Sequence, residues 1–444
     1  MEGYKISKYT TVRKTDYGLI LFNTFSCGLL KITDEEAKAR NPLNAEIVPL
    51  LAAKNPGYNK ALIDNGFFVK NDVDEYAIVK SHLYQRKYNT TVAGITINTG
   101  LVCNCRCVYC YEGQEHSSAS VLTPEKADDI IAFIKDKFPP NTKLNLAFLG
   151  GEPLICFDEI KRIYYELKSV FEHISSSVIT NGILINEDIA LFLKETKASI
   201  QVSIDGLKHH HDKKRIDASG SGTYDKVVAG VKILQGAGVS IGVRTHVDQE
   251  FMDNVNLHEW IESIKTNFDL AKPIVFYVAP VTATGKGARA ADEKFVDHMI
   301  TIYEAFIENR ISMNFDYAFN PAGGCFVASE NSFSINCNGD IYKCWSDVSA
   351  DNFNGRHFGN IYDGVNRAKL ISYANSLDVL DDAECRDCVY LPVCSGGCPE
   401  YVMAGVNKCT PLKHYPEKMT ALFMRYKGYS PDTSKNTGVK ETGE

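Results

Sequence analysis

The chain has 444 residues, of which 44% are hydrophobic and 23% charged, and its formal net charge is −7. This length allows two or three domains, and the composition is that of an ordinary soluble protein. Without a basic stripe, the negative charge argues against a nucleic-acid binder or an anionic-membrane binder. No signal peptide and no apolar run near the ~18 residues of a membrane span is visible, so we expect a cytoplasmic protein. In that reducing compartment, fourteen cysteines indicate metal binding more than disulfides.

Residues 1–90 carry no chemical motif. Segments 17–22 and 26–32 have the pattern of strands, Thr33 can cap a helix, and a helical stretch at 60–64 precedes a closing strand at 66–69. We therefore expect a small α+β N-terminal domain.

From residue 92 the pattern changes to strands that alternate with helices. Apolar runs of strand length lie at 92–97, 144–149, 177–180, 199–204, 239–244 and 274–278. In the clearest helix, Thr123 is the cap and Pro124 the first residue, and one apolar face contains Ala127, Ile130, Ile131, Ile134 and Phe138. Six such units predict an α/β fold, with a parallel sheet closed wholly or partly into a barrel. Functional residues should then follow the carboxyl ends of the strands.

A cysteine loop follows the first of these strands. Cys103, Cys107 and Cys110 have the spacing C-x3-C-x2-C. Iron–sulfur clusters are normally held by four thiolates, so three on one short loop could hold a cubane cluster and leave its fourth iron free. A zinc knuckle, a disulfide framework and chance are the alternatives, although zinc sites usually pair C-x2-C motifs. Cys105 fits neither the iron–sulfur spacing nor the zinc spacing, and we interpret it as a small buried hydrophobic residue.

With Tyr109 before its last cysteine, the loop resembles the signature of the radical S-adenosylmethionine (SAM) superfamily. The resemblance implies a partial (β/α)6 barrel over residues 91–290. It also implies that Cys103, Cys107 and Cys110 hold a catalytic [4Fe-4S] cluster that binds SAM.

Further motifs at the strand ends extend this resemblance. Gly150-Gly151-Glu152-Pro153 is similar to the family's GGEP motif, which binds the amino group of SAM. A backbone carbonyl or the Glu152 carboxylate could accept hydrogen bonds from that ammonium group. Ser203 to Arg215 is similar to the Ser-x-Asp-Gly…His-Asp…Arg run of peptide-modifying members. Arg244, predicted to end the fifth strand, could hold the carboxylate of SAM, since a guanidinium suits bidentate recognition. The residues so assigned to SAM are Tyr109, Gly150, Gly151, Glu152, Pro153, Asn181, Ser203, Asp205, Arg215 and Arg244.

The triplet His209-His210-His211 looks like a metal site, but adjacent side chains cannot all converge on one ion without a special backbone. We expect a solvated loop instead, shaped by a pair between Asp212 and Arg215. Residues 220–224 should form a turn that leads into the next helix.

A linking helix at 291–315 precedes a second group of cysteines, in which Asn338-Gly339 predicts a hairpin. The spacing over residues 316–427 resembles the SPASM domain of radical SAM peptide maturases. This implies one auxiliary [4Fe-4S] cluster on Cys325, Cys344 and Cys398, and a second on Cys385, Cys388, Cys394 and Cys409. Cys337 either completes the first auxiliary cluster, which we favour, or leaves it with an open site. Residues 428–444 are polar and glycine-rich, and read as a flexible tail.

The resemblance implies three [4Fe-4S] clusters and an oxidoreductase that installs a thioether or carbon–carbon cross-link in a ribosomally made precursor peptide. A flavodoxin or ferredoxin would donate electrons. Residues 1–90 would be a winged-helix-like peptide-recognition domain or a structural cap. An anaerobic sulfatase maturase is the nearest alternative, but Trp345 stands where that family has an acidic residue. A non-catalytic iron–sulfur electron carrier or a metal-stabilised binding protein would not explain the strand-end motifs.

Overall fold

The computed structural model describes residues 2–32, 49, 56–112, 120–281, 292–315, 325–348, 356–403, 405 and 409–431. Within these described ranges, the N-terminal region contains two small antiparallel sheets and two helices. In order these are β1 (Tyr4–Ile6), β2 (Thr10–Thr15), β3 (Gly18–Asn23), β4 (Leu29–Ile32), α1 (Pro56–Asp64), β5 (Phe68–Lys70) and α2 (Glu75–Lys87). Strand β1 pairs with β5, and β2, β3 and β4 form a meander. The predicted strands are confirmed, and the helix predicted at Thr33 lies outside the described residues.

The N-terminal region packs directly against the C-terminal cysteine segment. Tyr9 forms a buried cluster with Leu380 and Leu391. The Thr24 hydroxyl donates to the backbone oxygen of Val389. These contacts join residues more than 300 positions apart in sequence, so the two regions share an interface.

The centre of the molecule is an eight-stranded sheet, in the order β11-β10-β9-β8-β7-β6-β12-β13. Six strands are parallel and adjacent in chain order, which confirms the predicted α/β architecture. They are β6 (Val92–Asn98), β7 (Lys143–Leu149), β8 (Ile174–Thr180), β9 (Ser199–Ser203), β10 (Ile241–Val247) and β11 (Ile274–Pro280).

Strand β10 lies two to three residues later than predicted. Its buried residues alternate from Ile241 to Val247, and Ile241 pairs with Ile200 and Ile274 of the neighbouring strands. Val239 instead donates its N–H to Leu234 at the end of the preceding helix. The prediction that Arg244 ends the strand is therefore wrong, because Arg244 lies in its middle.

Helices cover one face of the sheet. They are α3 (Pro124–Lys137), α4 (Phe157–Lys168), α5 (Glu187–Thr196), α6 (Lys208–Lys214), α7 (Tyr224–Ala237), α8 (Gln249–Asn254), α9 (Leu257–Asn267) and α10 (Glu293–Glu308). The predicted cap of α3 is confirmed, since the Thr123 side chain accepts from the N–H of Lys126. The predicted apolar face of α3 is buried. The linking helix predicted after the barrel is α10, capped by Asp292.

The predicted hairpin at Asn338-Gly339 is confirmed, and Gly339 takes the left-handed conformation that favours glycine, with φ +84°. Its strands are β12 (Ser332–Ile335) and β13 (Ile341–Tyr342). Strand β12 pairs in parallel with β6, from Ser332 opposite Gly94 to Ile335 opposite Ile97. The hairpin therefore extends the central sheet, which the sequence did not predict.

The remainder of the C-terminal region consists of short elements. They are β14 (Gly359–Asn360), β15 (Gly364–Val365), α11 (Arg367–Ser376), α12 (Ala383–Arg386), α13 (Leu391–Cys394), α14 (Pro399–Met403), α15 (Pro411–His414) and α16 (Pro416–Tyr426). In the part of the chain that the structure describes, no helix has both the length and the apolar character needed to cross a membrane.

Candidate functional site

The cysteine loop lies beyond the carboxyl end of β6 and is held by backbone hydrogen bonds to the segment after α6. Arg106 donates its N–H to the oxygen of Ile216 at 2.7 Å, and Val108 donates to that of Lys214 at 3.0 Å. Ala218 donates back to Asn104 at 3.0 Å. The loop is therefore fixed on the side that faces the ends of β9 and β10.

The three expected cluster thiols, Cys103, Cys107 and Cys110, are half-buried, and Cys105 is buried as predicted. The Cys105 thiol donates a hydrogen bond towards Cys107, and together with the nearby Arg215 it outweighs desolvation and lowers the pKa of Cys107 to about 7. Desolvation raises the pKa of Cys110 to about 11. Soft thiolate donors on one loop suit an iron–sulfur cluster. Among the described residues, no three His, Cys, Asp or Glu side chains are arranged to hold a single metal ion.

A buried ionic network supports the loop from below. Asp205 is fully buried, and its carboxylate accepts hydrogen bonds from Arg215 Nε at 3.0 Å, the His246 N–H at 2.9 Å and the Tyr109 hydroxyl. Desolvation opposes ionisation of Asp205, but Arg215 and His246 outweigh it and hold its pKa well below the usual range. Arg215 Nη1 also lies 3.8 Å from Cys107 Sγ. The network thus connects β9 and β10 to a candidate cluster thiol.

The expectation of a pair between Asp212 and Arg215 is wrong. Arg215 pairs with Asp205, while the Asp212 carboxylate accepts from the N–H of Tyr224 at 2.8 Å. The chain turns through α6 between these residues, which directs Arg215 into the sheet and leaves Asp212 to cap the start of α7.

The histidine triplet lies on α6 and is not a solvated loop, so that expectation is also wrong. His209 is exposed, whereas His210 and His211 are buried. His211 Nδ1 accepts from the Asp205 N–H at 3.2 Å, and Nε2 lies 2.9 Å from the Thr223 hydroxyl. Burial lowers the pKa of His211 to about 4. His211 therefore acts as a neutral support for the Asp205 backbone.

The glycine turn after β7 fits closely against the start of the cysteine loop. Gly151 donates its N–H to Gly100 at 2.8 Å, and Glu152 donates to Val102 at 2.9 Å. A Cβ atom on Gly151 would lie 2.4 Å from the Val102 oxygen. Because backbone cannot give way as a flexible side chain can, this close approach requires glycine.

The Glu152 side chain connects the ends of β7 and β8. It is 1% exposed, and its carboxylate accepts from Leu154 N at 3.0 Å, Thr180 Oγ1 at 2.6 Å and Asn181 N at 2.8 Å. Burial raises its pKa. Pro153 begins the 3-10 turn that this carboxylate caps.

Asn181 follows β8 directly, and Ser203 is the last residue of β9. The Asn181 amide donates to Asn104 Oδ1 at 2.6 Å and lies 3.7 Å from Cys103 Sγ. Ser203 is buried at the end of β9, two residues before Asp205. The motifs at the ends of β7, β8 and β9 therefore meet at the cysteine loop, which itself follows β6.

The sequence did not single out Glu112, although it follows Cys110 by two residues. Glu112 is 4% exposed, and its Oε1 atom accepts from Asn98 Nδ2 and the Tyr111 hydroxyl, both at 3.3 Å. Burial raises the pKa of Glu112 to about 8. The sequence also did not identify His246 as a site residue. Arg244 and His246 lie two residues apart on one strand, so their side chains point to the same face of the sheet, and this spacing could have identified His246.

Arg244 lies deeper in the barrel than the ionic network. Its Nε atom is buried and has no hydrogen-bond partner among the described residues. Its positive charge acts on Tyr111, Tyr277 and His246. This unpaired donor is available to an anionic group bound between the cysteine loop and β11.

A cavity of about 550 Å³ opens at the amino ends of the strands. Serine hydroxyls of β8 and β9 line it, together with Asn145 and Arg86. Phe326 and Trp345 form its wall and stack with ring centroids 5.6 Å apart. Each of these aromatic residues directly follows an expected auxiliary-cluster ligand, Cys325 or Cys344.

The C-terminal cysteines divide into separate groups. Burial raises the pKa of Cys394 to about 11, and nearby Cys409, Cys385 and Cys388 add to the effect. The charges of Cys385, Cys388 and Cys409 therefore act on Cys394, although the four positions span 25 residues of sequence. Cys398, the remaining expected ligand, is half-buried at the start of α14.

Cys337 lies apart from Cys344. Cys337 is 1% exposed, and its sulfur is 3.6 Å from Ser120 Oγ, near the carboxyl end of β6. Cys344 follows β13 at the other end of the hairpin. The four residues of β12 separate the turn that carries Cys337 from the end of the hairpin that carries Cys344. At ~3.3 Å per strand residue, this separation is about 13 Å along the strand. This placement disfavours Cys337 as a ligand of the first auxiliary cluster, contrary to our expectation.

Sequence comparisons give the chain relatives of two kinds. Residues 97–265 match the sequence model of the Radical SAM superfamily. A cysteine-type anaerobic sulfatase-maturating enzyme of Clostridium novyi is 24% identical over 324 residues, 67% of this chain and 84% of that protein. The radical SAM cyclopropyl synthase TigE of Paramaledivibacter caminithermalis is 23% identical over 445 residues, 88% of this chain and 89% of that protein.

Two solved structures have a similar fold. Native anSMEcpe with bound AdoMet and Cp18Cys peptide aligns with a TM-score of 0.57 and 20% identity, and covers 75% of this chain and 97% of that one. SuiB of Streptococcus suis bound to precursor peptide SuiA aligns with a TM-score of 0.50 and 17% identity, and covers 92% and 98%. At these identities the alignments show the fold. Residues 97–265 of this chain, which carry the cysteine loop and the strand-end motifs, are thus a radical SAM domain.

Proposed function

We propose that this protein is a peptide-modifying radical SAM oxidoreductase. It installs a thioether or carbon–carbon cross-link between side chains of a ribosomally made precursor peptide. The observation that carries the proposal is the meeting of three strand-end motifs at the cysteine loop, since a cluster carrier needs the cysteines alone. When bound, the cluster and SAM supply a 5′-deoxyadenosyl radical that takes a hydrogen atom from the substrate.

The residues present fit these groups. Cys103, Cys107 and Cys110 would hold the cluster, and the unpaired Nε of Arg244 suits the carboxylate of SAM. The other proposed SAM contacts are Tyr109, Gly150, Gly151, Glu152, Pro153, Asn181, Ser203, Asp205 and Arg215. Several of these side chains bind one another, so part of their role is to fix the shape of the site. A fixed site holds the target hydrogen close to the radical and excludes water.

The substrate would reach the radical from the 550 Å³ cavity at the amino ends of the strands. That cavity is lined by the N-terminal region through Arg86, by the sheet, and by the aromatic pair Phe326 and Trp345. A peptide held there contacts all three parts of the chain. We propose that residues 1–90 help to recruit it, and that a flavodoxin or ferredoxin supplies electrons.

We further propose that residues 316–427 form a SPASM domain, joined by 291–315 to a barrel over 91–290. One auxiliary [4Fe-4S] cluster would be held by Cys385, Cys388, Cys394 and Cys409, and the charges of the other three already act on Cys394. Cys325, Cys344 and Cys398 would hold the other, with an open position, since Cys337 lies elsewhere. This gives three clusters in all. Most of the proposed tail, 428–444, lies outside the described residues.

A second candidate is a sulfatase maturase, because two kinds of sulfatase-maturating enzyme are among the relatives. TigE and SuiB favour the peptide maturase, since they align over 88% and 92% of this chain, against 67% and 68% for those two sulfatase-maturating enzymes. Trp345 also stands where the sulfatase maturases are expected to have an acidic residue.

The proposal is tested with anaerobically reconstituted protein, reductant, SAM and the short peptide encoded beside the gene. We expect about twelve irons per chain, release of 5′-deoxyadenosine and a peptide that has lost two hydrogens by mass spectrometry. A Cys107→Ala variant serves as the inactive control. An aldehyde on a sulfatase-derived peptide would identify the second candidate. Failure to release 5′-deoxyadenosine would leave the electron carrier as the explanation.

A further inference from the structure

Glu112 is a buried acid without a cationic partner among the described residues. Both of its hydrogen-bond donors, the Asn98 amide and the Tyr111 hydroxyl, are neutral. Burying an isolated carboxylate costs several kcal/mol unless a cation or strong donors offset it. The site is therefore suited to a cation that comes from outside the chain.

The position of Glu112 restricts which cation this can be. Its partner Asn98 ends β6, and a Cβ atom on Gly150 would lie 3.2 Å from Asn98 Oδ1. Glu112 also follows Cys110, the last cysteine of the loop, by two residues. The carboxylate therefore lies between the cysteine loop and the glycine turn, where the methionine part of SAM is expected to bind.

The Glu152 carboxylate, which the sequence offered beside a backbone carbonyl as a receptor for the ammonium, already accepts hydrogen bonds from the protein. Three protein donors reach its two oxygens, at 2.6 to 3.0 Å, and they come from the turn itself and from the end of β8. An ammonium would have to displace one of these bonds. Glu112 has two donors on one oxygen, both at the longer distance of 3.3 Å.

We propose that the Glu112 carboxylate binds the ammonium group of SAM, while Glu152 positions the glycine turn. This assignment of Glu112 depends on the proposed function only because it requires SAM to be a ligand of the protein. It predicts that the negative charge of Glu112 contributes to SAM affinity through the methionine part and not through the adenosine part.

The test compares the Kd of SAM with that of 5′-methylthioadenosine, which lacks the amino-acid part, on reconstituted holoenzyme by isothermal titration calorimetry. Glu112→Gln keeps the shape of the side chain and removes its charge. We expect SAM to bind about 10- to 100-fold more weakly, and 5′-methylthioadenosine to bind as before. Glu112→Asp, which keeps the charge, should give an intermediate Kd. The exposed Glu195→Gln is the matched control and should change neither.

Iron content and the cluster absorption spectrum are measured on every variant, so that loss of the cluster is recognised. Unchanged SAM affinity in Glu112→Gln overturns the proposal, as does an equal loss for both ligands. A variant that keeps its SAM affinity but binds the substrate peptide more weakly would also overturn it, and would assign Glu112 to a substrate cation. If the wild-type holoenzyme binds no SAM, it is the proposed function that fails.

Discussion

Replacing Arg215 by methionine removes the cation that pairs with Asp205 while keeping much of the side-chain volume. The Arg215 and Asp205 side chains are 8% and 0% exposed, so the carboxylate left behind would be buried without its main counter-charge. Breaking a buried pair in this way typically costs about 3–5 kcal/mol. We therefore expect a large fall in the thermal unfolding midpoint of the cluster-free protein, measured by circular dichroism.

Arg162→Met is the matched control. Arg162 pairs with Asp128 through two bonds, at 2.6 Å to each carboxylate oxygen, but both side chains are 49% exposed. Solvent-exposed pairs contribute at most about 1 kcal/mol, so its midpoint should barely move. The double variant Asp205→Asn/Arg215→Met should be less destabilised than the sum of its single variants. Equal shifts for the Arg215 and Arg162 variants, or strict additivity in the cycle, would refute this reasoning.

Three further predictions concern the loop and its supports. Cys105→Ala should keep the iron of the loop cluster, whereas Cys107→Ala should lose about four irons by colorimetric assay; the reverse would contradict the ligand assignment. Gly151→Ala places a Cβ atom 2.4 Å from a backbone oxygen and should weaken iron retention. Its control is Gly236→Ala, because a Cβ atom on Gly236 in helix α7 meets no atom within 4 Å. This control should leave the free energy of unfolding unchanged or raise it by up to ~1 kcal/mol. The pKa of His211 is lowered to about 4 in the folded protein, whereas a histidine in the unfolded chain has a pKa of about 6.5. As the pH falls below about 6.5, the unfolded chain therefore takes up a proton before the folded protein does. The free energy of unfolding should then decline down to about pH 4, by at most ~1.4 kcal/mol per pH unit. His211→Asn should flatten that part of the curve of unfolding midpoint against pH, and an unchanged curve would show that another group titrates.

Local patterns in the sequence predicted much of the fold. Strand and helix periodicity placed all six parallel strands, and the cap at Thr123 fixed the start of α3. These features depend on residues only a few positions apart, so a single sequence contains the required information. The same applies to the hairpin at Asn338-Gly339, whose turn chemistry is local.

Apart from the position of β10, which is a local error in strand boundaries, the differences concern contacts between distant segments. Arg215 could pair with Asp212 or with Asp205, and the choice depends on how α6 turns beneath β9. His211 is polar and part of a triplet, yet tertiary packing buries it against the Asp205 backbone. Cys337 has the spacing of a cluster ligand, but the pairing of β12 with β6 carries it to the other end of the sheet. The spacing of residues along the chain does not determine which distant residues come into contact in the fold.

The pairing of β12 with β6 has a consequence for motion during catalysis. Strand β6 carries the cysteine loop at one end, and the hairpin carries Cys344 back towards the other. Gly94 allows close approach here, since a Cβ atom would lie 2.9 Å from Ser332 Oγ. Hinge opening between the barrel and the hairpin would have to break this ladder, so the spacing between the cysteine loop and Cys344 should stay constant through turnover. Entry and release of a substrate must then rely on movements of loops.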